Sequence, residues 1–186
     1  MDDDMSFAVL CYYGDIEGVQ AAIDNGVDVN EASEEESEVG ETGLMNALCN
    51  NHNYVVWVLL QHPQIDINKV DLSGSSALHW AMTADNDEGL AALLAHHDEL
   101  TTFNQRDDMH GRTPIMEAVL CDSVNCFQLL LTNPLVDLDT RDGYKRVKEQ
   151  IQRWGESNLL SHTIPFKCVV FATNAQVCGR PPRANL

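Results

Sequence analysis

No lysine or arginine occurs before Lys69, so residues 1–68 set fourteen carboxylates against no basic side chain, within a chain whose net charge is −18. A field of that sign repels nucleic acid and anionic lipid, and it speeds encounters with a basic partner in a salt-dependent way; keeping the chain soluble is the competing role for so much acid. Long hydrophobic runs are missing as well. With no apolar stretch of about 18 residues, a helical membrane span is excluded. The opening Met1-Asp2-Asp3-Asp4 is the reverse of a signal peptide's basic start. The expectation is an intracellular protein, cytoplasmic or nuclear, monomeric, with neither membrane nor nucleic acid as its partner.

Paired-cysteine spacing is absent too. Cysteines at 11, 49, 121, 126, 168 and 178 follow no Cys-x-x-Cys rule, and with 44% hydrophobic residues the chain has the means to build a core without disulfides. Free thiols in a reducing compartment are expected, and no metal site. His96 and His97 are adjacent, so their rings point apart on a helix end, while Cys121 and Cys126 straddle two helices. Catalytic signatures are equally lacking: there is no Gly-x-Ser-x-Gly elbow, no phosphate-binding Gly-x-x-x-x-Gly-Lys-Ser/Thr loop and no Gly-x-Gly-x-x-Gly loop. No catalytic residues and no cofactor are expected, and hence no enzyme.

What the chain does contain is repetition. The stretch Asp108 to Val119 reads as a polar turn with Gly111 at its tip, then Thr113 as a helix cap through its hydroxyl and Pro114 at the first helical position, where its missing N–H has no partner to lose. The pattern returns at Asp71 to Met82 and more faintly at Gly40 to Leu48. Second helices end in Leu59-Leu60, Leu93-Leu94 and Leu130-Leu131, and each is followed by an exit of one type: Gly26 to Asn30, Ile65 to Asn68, Val136 to Asp139.

Turn, Thr-Pro-Leu-His-like opening, Leu-Leu ending and Gly-Ala-Asp-Val-Asn-like exit, returning at roughly 33 residues, resemble the ankyrin repeat. The matching residues are Gly74, Leu78, His79 and Ala81 in one copy and Gly111, Thr113, Pro114, Ile115 and Ala118 in the next. The resemblance implies an all-α solenoid of stacked helix-turn-helix units with β-turn fingers. Its repeats fall at about 6–30, 40–68, 71–104 and 108–139, closed by a capping helix within 142–154 on which Val147, Ile151 and Trp154 share a face. Residues 1–154 make that domain; 155–186 is a tail with no repeat period. Some positions depart from the pattern. Gly43 replaces proline; Gly89 inside a second helix should cost about 1 kcal/mol against Ala; and the exit after Leu94 carries extra residues and lacks its glycine, so stability is expected to dip there.

Between Asn30 and Gly40 an insertion carries Glu34, Glu35, Glu36 and Glu38, too charged to pack, with Ser33 and Ser37 as candidate phosphorylation sites; a neutral loop expansion is the alternative. The resemblance further implies that partners contact finger tips and exposed ends of the first helices, which line a concave groove. Carried over by position, this selects Tyr12, Tyr13, Glu41, Cys49, Asn50, Leu72, Ser73, Ser75, Thr83, Ala84, Met109, His110, Arg112, Leu120 and Cys121, with Trp80 beside them on its helix. Aromatic and arginine side chains are the usual anchors, which favours Tyr12, Tyr13, Trp80 and Arg112, although core burial competes as a role for Trp80. The function expected is a non-catalytic interaction module, an adaptor holding a basic protein segment. The alternative is a stoichiometric inhibitor that masks a basic nuclear-localisation or nucleic-acid-binding segment.

Overall fold

The computed structural model describes residues 5–32, 40–96 and 99–137, together with Glu149. Residues Met1–Asp137 form one compact unit. Apart from Glu149, the predicted cap over 142–154, the tail and the insertion's Ser33, Glu34, Glu35, Glu36, Ser37 and Glu38 lie outside the described residues.

Among the described residues up to 137, eight α-helices follow one another in pairs: α1 (Phe7–Tyr13) and α2 (Ile16–Asp24), α3 (Gly43–Cys49) and α4 (Asn53–Leu60), α5 (Ala77–Thr83) and α6 (Asp87–Ala95), α7 (Pro114–Leu120) and α8 (Val124–Leu131). The first helix of each pair packs on the first helix of the next, giving an inner row α1, α3, α5, α7; the second helices form an outer row α2, α4, α6, α8. Helices of seven to nine residues are too short to persist alone in water, so stacking supplies their stability. Between the rows lies a continuous core of Val19, Leu48, Leu59, Leu78, Leu90, Leu93, Ile115, Phe127 and Leu130.

Each connection is fixed by the same device in every repeat. Inner and outer helices are joined through a left-handed residue, Gly14, Asn51, Asp85 or Asp122. The residue capping the next outer helix then reaches back to the preceding repeat's inner helix: His52 Nε2 bonds the Tyr12 carbonyl at 2.9 Å, Asn86 Nδ2 donates to the Leu48 carbonyl at 2.9 Å, and Ser123 Oγ donates to that of Met82. Exits are laced by asparagines. Asn30 donates to the Gln64 carbonyl and accepts the Asp66 N–H, Asn68 does the same to Glu99 and Thr101, and Asn104 to Leu135 and Asp137, all at 2.7 Å. Backbone groups that a turn would leave orphaned thus find partners one repeat away.

Three expectations need correction. Thr113 occupies the cap position of α7 and Pro114 its first turn, but the Thr113 hydroxyl is buried without a hydrogen bond and makes no cap. Gly89 is not a defect: a Cβ there would lie 2.6 Å from Leu48 Cδ2, so glycine is what lets α6 close on α3. Gly43 has a similar reason to replace proline, since a Cβ would meet Cys11 Sγ at 2.7 Å. Of the extra residues after α6, those from Glu99 onward are described. They form a short 3-10 turn, Thr102–Asn104, and bury Leu100 and Phe103.

Candidate functional site

The fingers are built around buried carboxylates. In the third repeat Asp71 accepts the N–H groups of Ser73 and Ser75 at 2.8 and 2.9 Å on one oxygen and the Trp80 indole N–H at 2.9 Å on the other. Trp80 is therefore a half-buried brace of the finger, intermediate between free anchor and core residue. In the fourth repeat the equivalent carboxylate is Asp107, one residue upstream of the position that motif alignment selects. It accepts from the His110 N–H at 2.6 Å and the Arg112 N–H at 2.9 Å, while the Asp107 N–H closes the turn on the Arg112 carbonyl at 2.9 Å. Burial pushes the Asp107 carboxyl up, but those two backbone donors and the neighbouring histidines outweigh it and leave the group below its ordinary range. Gly74 and Gly111 take positive φ at the tips, 75° and 64°, a region side chains rarely enter.

His79 ties two fingers together. Its Nδ1 accepts the Ser76 N–H at 3.1 Å and its Nε2 meets the Arg112 carbonyl at 3.0 Å. A backbone amide can only donate, so Nδ1 is bare and Nε2 carries the proton, which is the neutral imidazole. Burial lowers its pKa below the ordinary 6.5, against the opposing pull of the Arg112 carbonyl and of Asp107, Glu117 and Asp71.

On this frame the expected contact residues fall into three groups. Tyr12 and Tyr13 end α1, exposed and packed edge to face at 5.2 Å. Leu72 and Met109 project from the third and fourth fingers, 82% and 71% exposed, which no packing need explains. Leu72 also lies over Gly40, where a Cβ would meet its Cγ at 2.8 Å. Thr83 and Cys121 stand exposed at the ends of α5 and α7. Thr83 donates to the His79 carbonyl at 3.1 Å.

The second group is more occupied than the sequence suggests. Arg112 is held by Glu117 at 3.3 Å and gives both backbone groups to the finger, so it serves the fold before any partner. Ser73 and Ser75 are turned onto Asp71 and each other, and Asn50 Nδ2 donates to the Asn46 carbonyl. His110 is exposed, 3.7 Å from Asp107. The third group is Glu41, half-buried in the second finger with Oε2 shielded from water and without a hydrogen bond. It adds to the burial that raises the Cys49 thiol. Burial likewise pushes the Cys11 thiol up to about 12, and burial with Asp85 or Glu117 raises Cys126 and Cys121. The four cysteines among the described residues are free and held as neutral thiols, poor nucleophiles at neutral pH.

Tyr54 and Trp57 on α4 were not selected by the groove argument, yet they are 66% and 54% exposed with ring centroids 6.0 Å apart. Tyr54 lines a shallow surface groove of about 480 Å³ between α2 and α4, together with Ile16, Glu17, Gln20, Ala21, Asp24 and Val58. Aligning the four outer helices position by position would have exposed Tyr54 and Trp57, because the other three carry no aromatic there.

Paired helices, finger turns and laced exits define a repeat-built interaction scaffold. Family profiles match accordingly: "Ankyrin repeats (3 copies)" over residues 6–104 and "Ankyrin repeat" over 110–143. The chain belongs to the ankyrin-repeat family, generally a class of non-catalytic protein-interaction modules. It is 29% identical over 152 residues to human photoreceptor ankyrin repeat protein, covering 68% of this chain and 33% of that one. Zebrafish neurogenic locus notch homolog protein 1 is 36% identical over 74 residues, 40% of this chain and 3% of its own. Ankyrin repeat domain-containing protein SAT10 of Stachybotrys chartarum is 32% identical over 103 residues, 55% and 5%. The chain thus spans a third or less of the length of these relatives.

Proposed function

We propose that this ankyrin domain holds a basic segment of a protein partner, anchored by an apolar or aromatic side chain, against its finger tips and inner-helix ends. The observation that carries this reading is Glu41. Its shielded Oε2 has no hydrogen-bond partner among the described residues, which is costly within the fold, and a lysine or arginine of a partner placed against this half-buried carboxylate would offset that cost by charge attraction. Glu41 belongs to the stretch before Lys69 that has no basic residue. The exposed Tyr12–Tyr13 pair stands on the neighbouring inner helix. A monomer working in the cytoplasm or nucleus fits this role.

The same features favour one narrower version, a stoichiometric inhibitor that masks a basic nuclear-localisation or nucleic-acid-binding segment. Such segments are rich in lysine and arginine and would meet the acidic half first. The test is capture from lysate at low and high salt, followed by surface plasmon resonance of the recovered partner against wild type and Glu41→Gln. Weakening of about tenfold is expected, the loss of one shielded charge-assisted contact. Capture indifferent to salt, with Glu41→Gln binding like wild type, would defeat the reading.

A further inference from the structure

The outer row contains its own controls. Counting from the capping residues Asp15, His52, Asn86 and Ser123, the second and fifth residues of the four outer helices are Glu17 and Gln20, Tyr54 and Trp57, Glu88 and Ala91, Asn125 and Gln128. Three repeats fill these two outward positions with polar or small side chains. The fold therefore has no need of aromatics there, yet α4 places two, more than half exposed and on one face.

What borders them is acidic. Glu17 and Asp24 of α2 line the adjoining groove, and Ile16, Ala21 and Val58 form its apolar part. On the other side Glu88 accepts from Asn53 Nδ2 at 2.7 Å, which brings a carboxylate of α6 to the start of α4. Neither α2, α4 nor α6 contains a lysine or arginine. An aromatic pair open to solvent, with carboxylates in the groove beside Tyr54 and at the start of α4, suits a planar cation, which stacks on the rings while its donors meet the acids. An apolar trough beside it suits aliphatic side chains.

The geometry points to a second docking site, on the outer face of α2 and α4, for a protein segment that carries arginine alternating with aliphatic residues. It is separate from the finger-side surface and stands or falls independently of it. Arginine stacks better than lysine on aromatic rings, so arginine should be preferred.

The test is an NMR titration of the full-length ¹⁵N-labelled chain with a short peptide of alternating arginine and leucine, read at the Trp57 indole N–H, which is assigned by its loss in Trp57→Gln. The indole signal should move on titration, and less with the matching lysine peptide. Its apparent affinity should fall about tenfold in Tyr54→Asn, which copies Asn125 and so leaves the fold intact, a loss within reach of a partly desolvated cation–π contact. Glu17→Gln with Asp24→Asn should weaken it mainly at low salt, and Tyr12→Ala with Tyr13→Ala should leave it unchanged. An indole signal that stays still while finger residues shift would overturn this site and leave the finger-side reading standing. A Trp57 shift that follows protein concentration without peptide, with self-association in sedimentation, would also overturn it, since the occupant would be a second copy.

Discussion

His79 shows how much one side chain carries when both ring nitrogens are spoken for. Protonation would place a new N–H on Nδ1 facing the Ser76 amide, a donor against a donor. Because its folded pKa lies below the ordinary 6.5, its contribution is fully present above that value and is lost as pH falls through the folded pKa. Denaturant melts should therefore weaken on acidification below about 6.5. His79→Gln should flatten that part of the profile while costing about 1–3 kcal/mol at neutral pH, because the Ser76 amide loses its partner. An unchanged profile in His79→Gln would show that another group titrates. Glycine logic also inverts at this scale. Gly89→Ala would ordinarily stabilise a helix, but the Leu48 side chain fills the space, so a loss of about 1–3 kcal/mol by overpacking is expected. Asn51, at φ 59° with no structural demand on its side chain, should instead gain up to about 1 kcal/mol as Asn51→Gly. Thermal melts of the two variants should move in opposite directions.

At the scale of helices and turns, the pairing of inner and outer rows was legible because leucine spacing and turn glycines recur with a fixed period. Leu93 and Leu130 follow from it directly: both are fully buried between the rows. Replacing either by Ala should cost about 2–5 kcal/mol in a denaturant melt, and two neutral substitutions would place the helix register in error. Where the sequence misled, the reason is contact between repeats, which a motif does not encode. Gly43 looks like a weakened opening until Cys11 and Phe7 are seen pressing on it. Asp107 is invisible to motif alignment because the fourth finger closes five residues apart, Asp107 to Arg112, whereas the third closes four apart, Asp71 to Ser75. The contact surface was legible only in part. Of the residues proposed for contact, Tyr12, Tyr13, Leu72 and Met109 are exposed, but Arg112 and Trp80 are committed to Glu117 and Asp71. Tyr54 and Trp57 escaped notice because attention to finger tips and inner helices passes over the outer row, where comparison of the four helices marks them.

For the molecule as a whole, the proposed binding of a basic segment divides between two rate constants, with charge acting on one and anchors on the other. Residues 1–68 carry no base, and Glu34, Glu35, Glu36 and Glu38 concentrate acid between the first two repeats. The base of that insertion is pinned by a backbone bridge between Ala32 and Thr42. Exposed charge pairs add at most about 1 kcal/mol each, whereas a field of one sign raises the association rate and fades beyond a Debye length of about 8 Å at physiological salt. Tyr12 and Tyr13, 47% and 67% exposed, have the opposite character, since aromatic anchors act once the complex is formed. Changing the four glutamates to glutamine should therefore slow association of a basic partner more than it speeds dissociation. Tyr12→Ala with Tyr13→Ala should chiefly speed dissociation. Surface plasmon resonance at two salt concentrations separates the effects, and an association rate indifferent to both salt and the glutamine variant would remove the electrostatic half of the mechanism.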